Sequence, residues 1–162
     1  MVGRGETILL VALKPNLRVL MMSAYPHETL LRQGRTPPDI QPLTKPFTRH
    51  ALLTRIRAEL EHQRDAVQSQ PRSSIEAAWD TKAKTRATLL LVEDEEDTLS
   101  TLSDFFEQEG LRVVTAMTAT RALELAREHG EAIDIVVTDV NLPDLPGPDL
   151  AAKLRHHSPA SR

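Results

Sequence analysis

The sequence predicts an α/β protein built around a doubly wound parallel sheet, and two observations support this prediction. Residues 88–92 and 133–138 are short apolar runs rich in β-prone residues, and each stops at an acidic side chain. Runs of this length that end at a charge are typical of strands buried on both faces of a parallel sheet. Helical patterns follow each run, and strand–helix alternation at this spacing indicates a parallel sheet with helices on both faces.

The second half of the chain gives its elements in a clear order. The predicted elements are a strand at 88–92, a helix with apolar positions 99, 102, 105 and 106, a strand at 111–115, a helix at 119–129, a strand at 133–138 and a helix from 149 to 156. Gly110 and Gly130 follow the first two of these helices, and glycine is common just after a helix ends.

The first half of the chain contains one well-marked helix. Four apolar residues fall at helical spacing opposite charged residues: Leu52, Leu53, Ile56 and Leu60. With Thr48 as the N-cap, the pattern predicts a helix from 48 to 62 that can extend to 67. Residues 7–11 fit either a strand or the tail of a helix, and their β-prone composition favours the strand.

Composition limits the class of protein. The chain has 162 residues and 40% hydrophobic residues, enough to bury a core. A net charge of −3 argues against nucleic acid as a partner, and the absence of cysteine excludes thiolate metal sites. No apolar run reaches the length of a membrane span and no signal-peptide pattern is present, so we expect a cytoplasmic chain without a membrane partner.

Acidic residues follow two of the predicted strands. Glu93 and Asp94 come directly after the strand at 88–92, and Asp139 follows the strand at 133–138. The carboxyl ends of parallel strands line the ligand crevice of an open α/β sheet, so these three carboxylates should converge there. Convergent carboxylates repel one another unless a cation joins them, and oxygen ligands of this kind suit Mg²⁺.

The loop after Asp139 carries a family resemblance. It reads Asn141-Leu-Pro-Asp-Leu-Pro-Gly147 and leads into a helix. Together with Glu93-Asp94, this stretch resembles the phospho-accepting loop of two-component receiver domains, of the type found in hybrid histidine kinases. The resemblance implies a flavodoxin-like fold and phosphorylation of Asp139 by a phosphohistidine. It also implies Mg²⁺ held by the three carboxylates and the backbone carbonyl of Asn141.

Two further residues of the family pattern lie at the other end of the chain. Receivers carry a Ser or Thr after the fourth strand and a Lys before a Pro after the fifth. Residues 18–25 resemble the fourth strand with Ser23 as the hydroxyl residue, and residues 43–47 resemble the end of the fifth with Lys45. The position three residues before the Lys is often aromatic in the family, and that aromatic side chain rotates on activation. The residue here is Pro42, so the chain departs from this pattern of switching.

The receiver elements therefore stand in permuted order. We expect residues 1–65 to be the C-terminal half of an internally deleted first copy, 66–87 a linker, and 88–162 the N-terminal half of a second copy with the acceptor. A linker of about twenty residues spans roughly 25 Å, enough to join neighbouring elements. Three arrangements stay open: a circularly permuted receiver, a homodimer that exchanges half-domains, and a broken tandem receiver.

The resemblance implies a histidine kinase or a histidine phosphotransfer protein as the partner. No independent enzymatic activity is expected beyond hydrolysis of the chain's own acyl phosphate. One alternative is a non-phosphorylated pseudo-receiver, or a truncated gene product, that acts only as an interaction module. Another is a phosphatase of the haloacid-dehalogenase type, but that family needs a second Asp two residues after the nucleophile, where this chain has Asn141.

Overall fold

The computed structural model describes residues 17–36, 40–67, 86–130 and 132–155, with backbone only for 62–67. Five strands and five helices occupy these ranges. They are β1 Arg18–Ser23, α1 His27–Arg32, β2 Leu43–Thr44, α2 Arg49–Val67, β3 Thr88–Val92, α3 Glu96–Gln108, β4 Arg112–Ala116, α4 Ala119–His129, β5 Ile135–Asp139 and α5 Gly147–Arg155. The predicted strand at 7–11 and most of the predicted linker lie outside the described residues.

The five strands form one sheet in the order β2-β1-β5-β3-β4, and every neighbouring pair is parallel. If the strands are counted from β3 and then continue at β1, the spatial order is 2-1-3-4-5, the order of flavodoxin-like folds. The prediction of a flavodoxin-like sheet with its elements in permuted order is therefore confirmed. Strand β5 lies in the centre of the sheet, between β1 from the first half and β3 from the second.

Alternate residues of the central strands point to opposite faces, and each face has its own core. On one face, α2 and α3 cover the sheet with a cluster that includes Leu20, Met22, Leu52, Ile56, Leu89, Leu91, Phe106, Ile135 and Val137. On the other, α4 and α5 cover Leu90, Val92 and Val136, while α1 adds Leu30. Both cores combine residues from the two halves of the chain, so the two halves build each hydrophobic core together.

Helix α2 also contacts α3 through charged side chains. The Arg49 guanidinium lies 5.4 Å from the centroid of the Phe105 ring, and Arg57 Nη2 lies 3.6 Å from Glu109 Oε2. Exposed pairs of this kind contribute about 1 kcal/mol or less. The apolar burial of Leu52 therefore dominates the docking of α2, and the charges help to orient the helix.

The helix ends agree largely with the sequence. Thr48 caps α2, its Oγ1 accepting from the Ala51 amide at 3.1 Å, and Gly110 ends the α3 turn with φ +86°. Gly130 has φ −55°, so α4 ends without the left-handed residue that glycine was expected to supply. Predicted boundaries elsewhere differ by one or two residues. Within the described residues, none of the helices is long and apolar enough to cross a membrane.

Helix α1 was not predicted from the sequence. His27 is the first residue of α1, a helix of six residues whose one fully buried apolar side chain is Leu30. One apolar anchor in six residues leaves no periodicity for a sequence pattern to reveal. The backbone amides of Thr29 and Leu30 bond to the Pro26 carbonyl at 3.0 and 3.2 Å, which starts the helix.

Candidate functional site

Three carboxylates meet at the carboxyl edge of the sheet. Val92 pairs with Thr138 in the β3–β5 ladder, so the next residues, Glu93 and Asp139, emerge side by side. One carboxylate oxygen each from Glu93, Asp94 and Asp139 lies within 4.8 Å of the others. Glu93 is 2% exposed and Asp139 8%, whereas Asp94 is exposed at the rim. The structure thus brings together the three acidic residues that the sequence selected.

Lys45 reaches this acidic cluster from the loop after β2. Its Nζ donates hydrogen bonds to Glu93 Oε2 at 3.0 Å and to Asp139 Oδ2 at 2.9 Å. One ammonium opposes three carboxylates, which leaves two uncompensated negative charges at the edge of a low-dielectric core. This excess is the charge of one divalent cation, and an oxygen-only donor set fits Mg²⁺.

Burial and the ion pairs act in opposite directions on the titration of the cluster. Burial raises the pKa of Glu93, the Lys45 ammonium lowers it, and the neighbouring Asp139 carboxylate raises it again, for a net rise. Burial lowers the pKa of Lys45, but hydrogen bonds and charge interactions with Asp139 and Glu93 outweigh that effect and raise it overall. The ammonium therefore keeps its proton throughout the neutral range.

Ser23 ends β1 next to the acidic cluster. Met22 is paired with Asp139 in the β1–β5 ladder, so Ser23 lies one residue beyond the acidic position. Ser23 is fully buried, and its Oγ accepts the Tyr25 amide at 3.0 Å. Its backbone carbonyl accepts the Lys45 amide at 2.7 Å, a contact that fixes the start of the lysine-bearing loop.

The loop after Asp139 folds back on that residue. The Asn141 amide donates to Asp139 Oδ1 at 3.0 Å, and the Gly147 amide donates to the Val140 carbonyl at 2.9 Å. A side chain at position 147 would collide with the carbonyl oxygen of Asp139 and approach Val140 Cα at 3.0 Å. Glycine is therefore required here because the backbone of Asp139 packs directly against the start of α5.

Two contacts of this loop were not predicted from the sequence. The Asn141 side-chain oxygen accepts from Arg35 Nη1 at 3.2 Å, and the Asp144 carboxylate binds the first turn of α4. An Asp between Pro143 and Leu145 signals a turn, but the sequence does not show which distant amides it meets. Both contacts join segments whose proximity only the folded sheet creates.

Comparisons with known proteins agree with this geometry. Residues 89–162 match the family model of the response regulator receiver domain. Over 90 residues the chain is 36% identical to the virulence sensor protein BvgS of Bordetella pertussis, covering 56% of this chain and 7% of that protein. Over 95 residues it is 36% identical to the sensor kinase CckA of Brucella abortus, covering 59% of this chain and 10% of that kinase.

Further relatives include shorter proteins. The response regulator SaeR of Staphylococcus epidermidis is 34% identical over 67 residues, which is 41% of this chain and 28% of that protein. Among solved structures, a receiver domain protein from Clostridium thermocellum has a TM-score of 0.44 at 32% identity, covering 45% of this chain and 58% of its own. The receiver domain of the hybrid histidine kinase CckA has a TM-score of 0.41, covering 46% and 69%.

The chain spans about a tenth or less of the two sensor proteins and about a quarter of the regulator. The matched segment contains Glu93, Asp94 and Asp139, while Ser23 and Lys45 lie before it. Sequence similarity and strand order thus point to the same class of domain, one that belongs to two-component signalling. Through residues 89–162, the chain belongs to the response regulator receiver family.

Proposed function

We propose that this chain is the receiver module of a two-component phosphorelay and accepts a phosphoryl group on Asp139 from a phosphohistidine. The observation that carries the proposal is the cluster of Glu93, Asp94 and Asp139, with Lys45 bonded to two of its members. A strand-end carboxylate with a cation on one side and acidic neighbours on the other is arranged to receive a phosphoryl group.

The transfer breaks the nitrogen–phosphorus bond of the donor and forms an acyl phosphate on Asp139. An oxygen of Asp139 attacks phosphorus in line, and the bonding electron pair leaves with the donor imidazole nitrogen. Mg²⁺ would be held by Glu93, Asp94, Asp139 and the Asn141 carbonyl, and it would neutralise charge on the phosphoryl oxygens. Lys45 already binds the acceptor carboxylate and would remain paired with the phosphorylated side chain.

Ser23 is placed to respond to the transferred group. Its Oγ accepts a hydrogen bond from Tyr25, which leaves the hydroxyl proton free to donate. A phosphoryl oxygen on Asp139 would offer a charged acceptor beside the end of β1, and a hydrogen bond to a charged group is stronger than one to a neutral group. Ser23 would therefore turn toward the phosphorylated residue and move its loop, which converts a charge into a change of surface.

We propose further that the site is composite. Ser23 and Lys45 come from residues 1–65, the acceptor and metal ligands from 88–162, and residues 66–87 connect the two halves. The five paired positions between β1 and β5 and the shared hydrophobic clusters support this arrangement.

The partner proposed for this site is a histidine kinase or a histidine phosphotransfer protein in the cytoplasm. The likeness to sensor kinases of the two-component class supports that choice. Hydrolysis of its own acyl phosphate is the one reaction that we assign to the chain alone. Turnover of phosphomonoesters, the mark of a haloacid-dehalogenase-type phosphatase, is not expected.

Phosphorylation of the full chain tests the proposal. Incubation with phosphoramidate and Mg²⁺ should add one phosphoryl group in the intact mass, and hydroxylamine should remove it because an acyl phosphate is labile to that nucleophile. Asp139→Asn should abolish the mass increase. Asp104→Asn, an exposed carboxylate on α3, is the matched control and should label normally. A folded wild-type chain that takes no label would indicate the non-phosphorylated pseudo-receiver instead.

A further inference from the structure

The Asp144 side chain binds the first turn of another helix. Its Oδ1 accepts the Ala119 amide at 3.0 Å, and its Oδ2 accepts the Thr120 amide at 2.8 Å and the Thr120 hydroxyl at 2.8 Å. Asp144 lies in the loop that follows β5, whereas both partners begin α4. One carboxylate thus takes three hydrogen bonds from residues 24 and 25 positions away in the chain.

These bonds complete the N-terminus of α4. The first amides of a helix have no partner inside the helix and need acceptors from outside. Thr118 serves as the N-cap, its hydroxyl accepting the Arg121 amide at 3.1 Å, which leaves the amides of Ala119 and Thr120 for Asp144. A carboxylate at this end is also favoured by the positive end of the helix dipole. The contact is therefore a favourable anchor rather than a chance approach of exposed groups.

Four contacts hold the acceptor loop in place, one of them the exposed hydrogen bond from Arg35 Nη1 to the Asn141 side-chain oxygen. The Asn141 amide binds the Asp139 side chain, and the Gly147 amide binds the Val140 carbonyl, so both of these ties lie within the loop and its ends. The Asp144 tie reaches outside the loop to α4. Without the Asp144 hydrogen bonds, the part of the loop between Asn141 and Gly147 would lose its attachment to α4.

We propose that Asp144 is a positioning residue: by fastening the acceptor loop to α4, it holds the Asp139 side chain and the Asn141 carbonyl in the arrangement that binds metal and accepts phosphate. Burial raises the pKa of Asp144, but the hydrogen bonds from Thr120 and Ala119 together outweigh that effect and lower the pKa to about 2, so the carboxylate stays charged and bonded at neutral pH. Its effect on phosphotransfer rests on the proposed function, whereas its effect on loop order does not.

A matched pair of substitutions separates positioning from stability. Asp144→Ala removes the tie between loop and helix, while Thr118→Ala removes the other cap of α4 and leaves the loop tied. Both remove a helix cap, so both should lower the melting temperature by similar amounts. Amide exchange at Asn141 and Gly147 in the full chain should become about fivefold faster or more in Asp144→Ala, because a charge-assisted tie is lost. It should stay unchanged in Thr118→Ala.

Metal binding and labelling supply independent readings. Mg²⁺ affinity and the rate of labelling by phosphoramidate should both fall about fivefold in Asp144→Ala and stay near wild type in Thr118→Ala. Asp144→Asn keeps one carbonyl acceptor and should recover part of each loss. If the wild-type chain takes no label, the proposed function fails, and exchange and Mg²⁺ affinity still decide the role of Asp144. Equal changes in amide exchange or in Mg²⁺ affinity in Asp144→Ala and Thr118→Ala, or exchange at Asn141 unaffected by Asp144→Ala, would overturn the inference.

Discussion

Lys45 Nζ lies 2.9 Å from Asp139 Oδ2, although 94 residues separate them in the sequence. The contact places a cation from the first half of the chain against the proposed acceptor of the second. Lys45 is also 3.0 Å from Glu93 Oε2, so a single side chain bridges two elements of the second half. The stability of the carboxyl edge of the sheet and the phosphotransfer chemistry at Asp139 should therefore both depend on Lys45.

Replacing Lys45 should slow labelling of Asp139. In Lys45→Ala, the acceptor loses a hydrogen bond to a charged group, an interaction of about 1.5–3 kcal/mol, so the labelling rate should fall roughly tenfold or more. The initial rate of mass increase with phosphoramidate measures it. Arg57→Ala serves as the control, because Arg57 joins the same two halves through Glu109 far from the site. An unchanged rate in Lys45→Ala would show that the halves do not cooperate in the chemistry.

Mg²⁺ binding should depend on Asp94. The residue is exposed, so Asp94→Ala should change the free energy of unfolding by no more than about 0.5 kcal/mol. Loss of one of three convergent carboxylates should nevertheless weaken Mg²⁺ affinity by roughly tenfold or more, as measured by calorimetric titration. Asp97→Ala removes another exposed acid, in the first turn of α3, and should bind Mg²⁺ normally. Equal affinity in the wild type and in Asp94→Ala would sink the metal-site assignment.

A methyl group at position 147 should disturb the acceptor. In Gly147→Ala, the new Cβ meets the backbone of Asp139 and Val140, which cannot swing aside as a side chain would. Overpacking of this kind costs about 1–3 kcal/mol, and here the displaced atoms belong to the acceptor itself, so labelling should fall as well.

The control for this substitution is Gly110→Ala. Gly110 has φ +86°, and an added Cβ would meet no atom within 4 Å, so alanine there is strained by its backbone alone and should lower stability by about 1 kcal/mol. It lies at the end of α3, away from the acidic cluster, and should label at the wild-type rate once folded. Normal labelling by folded Gly147→Ala would contradict the close packing assigned to the loop.

The stability that Asp144 contributes should disappear in acid. Its pKa falls from 3.8 to about 2 on folding, so the charged form is favoured in the folded state. The contribution is fully present above the unfolded pKa and is lost as the pH falls through the folded pKa. The stability difference between wild type and Asp144→Asn should hold from pH 7 to about pH 5 and shrink from there toward pH 2. Because the Asp144 side chain is exposed, solvent screening reduces the size of this stability difference. Urea denaturation at each pH measures it, and a difference that stays constant down to pH 3 would refute the assignment.

Removing the first half should expose the edge of β5. Strand β1 pairs with β5 at five positions, and deletion of residues 1–85, the first half and the linker, leaves that ladder open beside an uncovered apolar face. Open strand edges of this kind promote aggregation, so fragment 86–162 should aggregate, as light scattering would show. A soluble, folded fragment 86–162 that labels at the wild-type rate would mean that the first half is dispensable.

Size-exclusion chromatography of the full chain across a range of concentrations separates the two composite arrangements. A permuted monomer should elute at one position throughout. A homodimer formed by half-domain exchange should dissociate or unfold on dilution, since its site needs two chains.

The sequence predicted those elements that have a continuous or periodic apolar pattern, and those site residues that are acidic and directly follow a strand. The strands β3 and β5 were predicted from continuous apolar runs, and their terminal carboxylates were expected to converge, as Glu93 and Asp139 do in the structure. Helix α2 was predicted from its periodicity to within one residue of its start. In each case the signal lies within a few neighbouring residues.

Features that depend on distant contacts could not be predicted in the same way. The tie from Asp144 to Thr120 and the hydrogen bond from Arg35 to Asn141 join segments brought together only by the sheet order. The short helix α1 was missed because a single buried leucine anchors it. The roles of Ser23 and Lys45 came from family resemblance alone, since nothing local in the sequence links either residue to Asp139.

The position of β1 between β2 and β5 has a consequence for how the chain is made. β1 leaves the ribosome well before β5, because each of its partners in β5 lies more than a hundred residues further along the chain. Until residues 135–139 emerge, the nascent first half has a strand without its central neighbour, and the apolar face of α2 has no surface to cover. Such non-local pairing is slow, and exposed apolar surface invites association with chaperones. We therefore expect the chain to need chaperones during synthesis more than a receiver of ordinary strand order, whose first strands pair as they emerge.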